Sequence, residues 1–344
     1  MAKLDLKVLE ELCLLVGVSG GEEKVADAII RMVKDYADDI QRTPLGDVIV
    51  FKKGEKTAPK KLMICAHMDE VGMVVTDIDE KGYLRFTNVG GVDSNVLLGK
   101  TVYVNETVRG VIGGKPVHLM SGEEREKAVP IHELTIDIGA STKEEAEDVC
   151  SIGDYVNYEP FFEVCGDVVK AKSLDDRMGC AVLIALIRDT IPYDTYFVFS
   201  TREEVGNMGA MAASYVVAPE LAIAVEGTVA GDVLGTSSPK ACTKVGKGPA
   251  VSFVDGGTVY DRAFFKAAFE CAKELGIECQ ARTNPAGRND ASVMHTSRGG
   301  ARAAAVNVPC RYIHCPTSMA NVKDANSAIA LIKALSARMM EADT

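Results

Sequence analysis

Lys61-Leu62-Met63-Ile64-Cys65-Ala66-His67-Met68-Asp69 is an unbroken apolar run that ends on an imidazole and a carboxylate. A short run without polar alternation suits a central strand covered on both faces. His67 and Asp69 then stand at its carboxyl end. A ligating imidazole commonly donates its second N–H to a carboxylate, so the pair reads as a metal ligand with its orienting group. The rest of the chain should then supply further ligands.

Before this run, Leu4, Val8, Leu12 and Leu15 recur at helical spacing, and Val25, Ile29, Met32, Val33 and Tyr36 continue the period after Gly20-Gly21. Two amphipathic helices are expected there. From about Val71 to Pro160 the character changes to paired glycines at 90–91 and 113–114 and β-branched pieces such as Thr101-Val102-Tyr103-Val104. This predicts a small β-rich domain over residues 71–164, inserted into a larger α/β domain of residues 1–70 and 165–344. Its one helical candidate is Thr142 to Val149, with Ser141 as the cap and Glu144 three residues on.

After Lys172 the α/β pattern returns. Ser173-Leu174-Asp175-Asp176 reads as an N-cap with an acid in the first turn, leading into an apolar helix from Met178 to Ile187. Thr195 to Ser200 and Leu221 to Val225 read as two more core strands, followed at once by Glu203-Glu204 and by Glu226. Helices are expected at Tyr260–Leu275 and Val322–Met339.

In an open, mostly parallel sheet the carboxyl ends of strands share one edge, where ligands collect. His67, Asp69, Glu203, Glu204 and Glu226 should therefore converge, with Asp175 and His314 as additions. So many acids at one edge repel one another and raise each other's pKa unless cations sit among them. A pair of divalent ions would offset that repulsion. The adjacent acids Glu203 and Glu204 leave a strand in different directions, so one can bind metal while the other faces bound water. His118, His132 and His295 have no comparable partner and read as structural or exposed.

Composition excludes several alternatives. The 344 residues carry 38 Lys and Arg against 49 Asp and Glu, a net charge of -11, which argues against a general nucleic-acid binder. Asp5 and Glu10 interrupt the N-terminal segment too early for a signal peptide, and no apolar run reaches about 18 residues, so a cytoplasmic location without a membrane span is expected. Ten cysteines lie mostly in apolar strings and read as small core residues; Cys310 and Cys315 flank His314 without any C-x-x-C pair to suggest a thiolate zinc site. Phosphate-loop, dinucleotide and nucleophile-elbow patterns are absent.

The chain resembles the M42 family of aminopeptidases, which includes glutamyl and tetrahedral aminopeptidases and members named as glucanases. The matching strings are Ala66-His67-Met68-Asp69-Glu70-Val71-Gly72, Lys172-Ser173-Leu174-Asp175-Asp176-Arg177, Glu203-Glu204-Val205-Gly206 and Arg311-Tyr312-Ile313-His314. Gly110-Val111-Ile112-Gly113-Gly114 and Ile136-Asp137-Ile138-Gly139-Ala140 match within the insert. The resemblance implies a mixed, mostly parallel sheet covered by helices, with a PDZ-like β-barrel insert that contributes to assembly into a tetrahedral dodecamer. It implies that Asp175 bridges two metals, with His67 and Glu226 on one, Glu204 and His314 on the other, Glu203 as general base and Asp69 orienting His67. Two departures stand out: Glu226 where the family usually has aspartate, and Ala286-Gly287-Arg288-Asn289-Asp290-Ala291 where it usually has Gly-Gly-Thr-Asp-Ala.

The expected reaction is hydrolysis of an N-terminal peptide bond on short peptides with a free N-terminus. Zinc, cobalt and manganese all suit such nitrogen and carboxylate ligands. A two-metal amidohydrolase acting on small N-acyl substrates, or a metal-stabilised assembly or peptide-binding protein with weakened catalysis, are the competing readings.

Overall fold

The computed structural model describes residues 2–237 and 241–341. Its centre is a mixed sheet whose middle is parallel: Thr195–Ser200, Leu62–His67, Leu221–Val229 and Arg302–Arg311 lie side by side. Antiparallel strands extend both flanks, with Val48–Lys52 and Asp39–Arg42 on one side and Ser318–Asn321, Val168–Ala171 and Phe162–Cys165 on the other.

Two layers of helices explain why the central strands carry no polar alternation. Leu62, Ile64 and Ala66 face one core with Leu183, Ile187, Ile329 and Leu335, which come from the helices Leu174–Arg188 and Val322–Glu341. Met63 and Cys65, the alternate residues, face a second core with Ala210, Ala213 and Met294 from Met208–Val217 and Ala291–Met294. A strand buried on both faces must be apolar throughout, so its first polar residues mark where it leaves the core.

The intervening segment folds into a closed barrel of six strands, ordered Gly72–Ile78, Leu84–Val89, Thr135–Asp137, Val108–Gly113, Thr101–Val104 and Tyr155–Tyr158. Val75, Leu84, Val102, Ile112, Ile136 and Val156 fill it. Closure removes the sheet edges that so short an antiparallel unit would otherwise leave unpaired.

Local corrections to the sequence reading have physical causes. The insert helix Lys143–Glu147 is capped by Thr142, not Ser141, because the Thr142 hydroxyl accepts from the Glu145 N–H. A second short helix, Gly122–Arg125, carries a Ser121–Glu124 capping box. Ser173 does not cap: its φ of 56° is left-handed, Asp175 and Asp176 have non-helical dihedrals, and its hydroxyl donates instead to Glu70. The Leu221 strand runs on to Val229, so Glu226 lies within it, opposite Asn307. Asp261 caps the helix Arg262–Leu275 by accepting from Ala263 and Phe264. No helix among the described residues is long and apolar enough to cross a membrane.

Candidate metal centre

The parallel strands deliver their carboxyl ends to one edge, and the sequence-predicted acids and imidazoles meet there. His67 Nε2 lies 3.5 Å from Asp175 Oδ1, 3.4 Å from Glu226 Oε2 and 4.0 Å from Glu203 Oε2. His314 Nε2 lies 3.1 Å from Glu204 Oε1 and 3.6 Å from Asp175 Oδ2. Asp175 thus presents one oxygen to each imidazole. Ligand atoms of His67, Asp175 and Glu226 fall within 4.8 Å of one another, and so do those of Asp175, Glu204 and His314. The extra methylene of Glu226 leaves its other oxygen, Oε1, accepting from the Asp290 N–H at 3.3 Å.

Backbone conformation makes this convergence possible. Asp175 precedes the regular turns of its helix, and Gly227 packs against it so closely that a Cβ there would lie 2.7 Å from Asp175 Oδ1 and 3.0 Å from its Cα. His314 has a φ of 60°, which turns its ring back toward the sheet edge.

Whether the residues suit metal ions is decided by the imidazoles. His67 Nδ1 is 3.1 Å from the Asp69 carbonyl and His314 Nδ1 is 3.0 Å from the Gly91 carbonyl. A carbonyl only accepts, so each Nδ1 keeps its hydrogen, and Nε2 is the nitrogen that offers a lone pair to the cluster once its own proton is displaced. Glu204 Oε1 is buried with no aligned donor. Two inward-facing imidazole nitrogens and the carboxylate oxygens of Asp175, Glu204 and Glu226 are the donor set of a hard or borderline divalent cation.

The electrostatics agree. Burial pushes Glu226 and Glu203 well above the usual carboxylate range despite the opposing charge on His67. Burial likewise raises Glu204, against His314. Burial disfavours charge on His314, but Asp175 and Glu204 overcome it and lift the ring to about 11. Asp175 is held low by His314 and His67 in spite of its own burial. Without other positive charge the cluster therefore hoards protons, and two divalent ions would displace them.

Asp69 does more than the sequence suggested. Its carboxylate is 3.5 Å from His67 Nδ1, farther than its own carbonyl, and accepts from Ser19 Oγ at 2.6 Å, Glu203 N at 2.9 Å and Glu204 N at 3.2 Å. One buried side chain thus fixes the turn that carries both glutamates.

Several residues escaped sequence reasoning. Asn207 donates to Glu203 Oε1 at 2.7 Å and to Asp290 Oδ1 at 3.2 Å. Behind the cluster, buried Glu70 accepts from Gly17 N at 2.9 Å, from Lys172 Nζ at 2.8 Å and from Ser173 Oγ, with Arg177 3.4 Å away. Glu70 thereby joins the segment after His67 to the segment around Asp175. Glu70, Lys172 and Arg177 fall within strings that match the family, but nothing in their local spacing pairs residues a hundred positions apart. His118 and His132 are exposed, and the His295 ring bonds the Ala291 carbonyl; none joins the cluster. The ten cysteines are free, and seven of them are buried.

The cluster forms the floor of a cavity of about 330 Å³. Its walls include Thr228, Asp255, Arg282, Asn284, Arg288 and Ile313.

Comparison with known proteins agrees with this geometry. The family model for M42 glutamyl aminopeptidase matches residues 46–331. Lysyl aminopeptidase of Pyrococcus furiosus is 33% identical over 96% of this chain and 96% of its own. The TET aminopeptidase of a marine-sediment Thaumarchaeota archaeon superposes with a TM-score of 0.92 at 33% identity, covering 96% of this chain and 95% of that one. The TET1 peptidase of Pyrococcus horikoshii, which can assemble into a tetrahedron or a large octahedral shell, superposes at 0.83 and 33% identity, covering 96% and 98%. This chain belongs to the M42 glutamyl aminopeptidase family and is a dinuclear metal-dependent aminopeptidase.

Proposed function

We propose that the cavity removes N-terminal residues from short peptides, with Asp175 shared between two divalent ions. His67 and Glu226 complete the protein ligands of one ion, Glu204 and His314 those of the other. Zinc or cobalt fits these ligands best, with manganese also accommodated. When bound, the ions supply Lewis acidity that polarises the scissile carbonyl and acidifies water. Support comes above all from the two Nε2 atoms, each held toward one oxygen of the Asp175 carboxylate by a backbone bond at Nδ1.

Glu203 is the general base. Burial raises its proton affinity, and Asn207 holds Oε1, which leaves Oε2 on the His67 side to take a proton from water and return it to the departing amine. Asp69 orients His67 and the Glu203–Glu204 turn together. The free ammonium of the substrate is held by carboxylates at the cavity floor, which selects aminopeptidase over endopeptidase action.

The protein works in the cytoplasm as a tetrahedral dodecamer, to which the barrel over residues 71–164 contributes contacts while the remaining residues form the catalytic domain. Assembly of the Pyrococcus horikoshii relative into a tetrahedron supports the tetrahedral part of this reading.

Glu203→Gln tests the chemistry, since it keeps the size of the side chain and removes the proton acceptor. Metal content should stay the same while kcat falls by about 10²- to 10⁴-fold, the usual contribution of a general base. Near-normal turnover would remove Glu203 from this role. A parallel assay on N-acylated peptides should show no cleavage; equal cleavage of blocked and free peptides would point to an amidohydrolase instead.

A further inference from the structure

We propose that Arg288 is a recognition site for a carboxylate on the peptide substrate, an inference that rests on the aminopeptidase reading above. Arg288 lines the cavity over the metal centre and is solvent-accessible. Its guanidinium sits over Gly206, two residues beyond Glu204, since a Cβ on Gly206 would meet only Arg288 Nη2, at 3.6 Å.

The other charged groups of the cavity walls are already engaged. Arg282 donates Nε to Thr228 Oγ1 at 2.9 Å, Nη1 to the Asn284 carbonyl at 2.6 Å and Nη2 to the Ala286 carbonyl at 2.6 Å. It holds the 284–286 loop in shape. Asp255 accepts from Gly257 N and Thr258 N at 2.8 Å and from Tyr260 Oη at 2.5 Å. Arg288, by contrast, has no hydrogen bond or ion pair with any described residue.

A guanidinium presents a planar fork of N–H donors that matches a carboxylate and remains charged at any working pH. Inside a partly enclosed cavity that charge is screened less than on open surface. The anionic groups of a peptide are carboxylates, and two of them can reach such a cavity: the side chain of an acidic first residue, and the C-terminal carboxylate of a di- or tripeptide. Both present the same chemistry to Arg288.

Four substrates separate these sources in the metal-loaded enzyme: glutamyl p-nitroanilide against glutaminyl p-nitroanilide, and Leu-Gly against Leu-Gly amide. Each pair differs in one carboxylate. In Arg288→Gln at least one of the two kcat/KM ratios should fall by about tenfold or more, the scale of one charge-assisted contact. Arg288→Lys, which retains charge without the fork, should fall between. A fall in the first ratio assigns the side chain, and a fall in the second assigns the C-terminus. Both ratios moving by less than about twofold would overturn the proposal while leaving the aminopeptidase reading intact. If the wild-type enzyme with bound metal cleaves neither these four nor leucyl or lysyl p-nitroanilide, the aminopeptidase reading fails, and the proposal with it; cleavage of lysyl p-nitroanilide alone overturns the proposal and leaves the aminopeptidase reading intact.

Discussion

Replacing Glu70 by glutamine removes a single negative charge from a region in which Lys172 and Arg177 are fully buried. Both Glu70 oxygens lie 2.8 Å from Lys172 Nζ, and the Lys172 and Arg177 charges hold the Glu70 pKa below the usual range although burial opposes them. Glutamine keeps the volume but turns an amide N–H₂ toward an ammonium. Removing one partner of a buried pair costs about 3–5 kcal/mol, because the remaining charge is left without compensation. Burial already lowers the Lys172 pKa, so that lysine can release its proton and soften the loss; Arg177 cannot and retains only its bond to the Leu12 carbonyl. A loss of about 3 kcal/mol is therefore expected for Glu70→Gln. Lys172→Met removes the other charge, and the double variant should be more stable than the sum of the singles by about 2 kcal/mol, within the range seen for contacting residues. Urea unfolding of the chelated protein followed by circular dichroism measures all four proteins. Additive effects, or a Glu70→Gln loss below about 1 kcal/mol, would refute the assignment of Glu70 as the anchor between the two ligand-bearing segments.

Two further perturbations test other parts of the structure. Gly227→Ala places a Cβ 2.7 Å from Asp175 Oδ1 and should displace that carboxylate, lowering metal affinity by about tenfold or more in titration calorimetry; Gly113→Ala, where a Cβ meets nothing within 4 Å, serves as the control and should leave affinity unchanged. Asp261 accepts from Arg302 Nε at 2.7 Å, and although burial pushes its pKa up, Arg302 brings it below the ordinary value. A depressed folded pKa gives stability that is present above the unfolded value of about 3.9 and lost as pH falls through the folded one. Wild type should thus exceed Asp261→Asn by about 1 kcal/mol or less near neutral pH, a modest figure because the pair is partly exposed, and the gap should close below about pH 4. A gap that widens on acidification in pH-stepped urea titrations would contradict the sign.

How much of this was legible in the sequence follows from where the information lies. The strand Leu62–His67 announces itself because burial on both faces forbids polar residues, and His67 and Asp69 then stand out at its end. Glu203 and Glu204 stood out by the same logic, Glu226 broke the apolar run although its strand continues to Val229, and the barrel showed in its glycines and β-branched residues. The Ser173 error shows the limit: Ser-x-x-Asp is the pattern of a helix cap, yet Glu70, distant in sequence, attracts that hydroxyl more strongly than the helix does. Asn207, Asp290 and Ser19 were missed for a related reason. Asp290 and Ser19 act through bonds closed between separate loops, which no local period records, and Asn207, although only four residues from Glu203, is also tied to the distant Asp290. The dual use of the Asp69 carboxylate was hidden because the Glu203 and Glu204 N–H groups it accepts from belong to the backbone, which every residue shares.

Counting metal per subunit bears most directly on the central claim. After loading with zinc or cobalt and removal of excess ion, plasma emission spectrometry should find two equivalents in the wild type and about one in His314→Ala, whose remaining cluster of His67, Asp175 and Glu226 is complete. One equivalent or none in the wild type, or two retained after both His314→Ala and His67→Ala, would contradict a dinuclear centre built on these imidazoles.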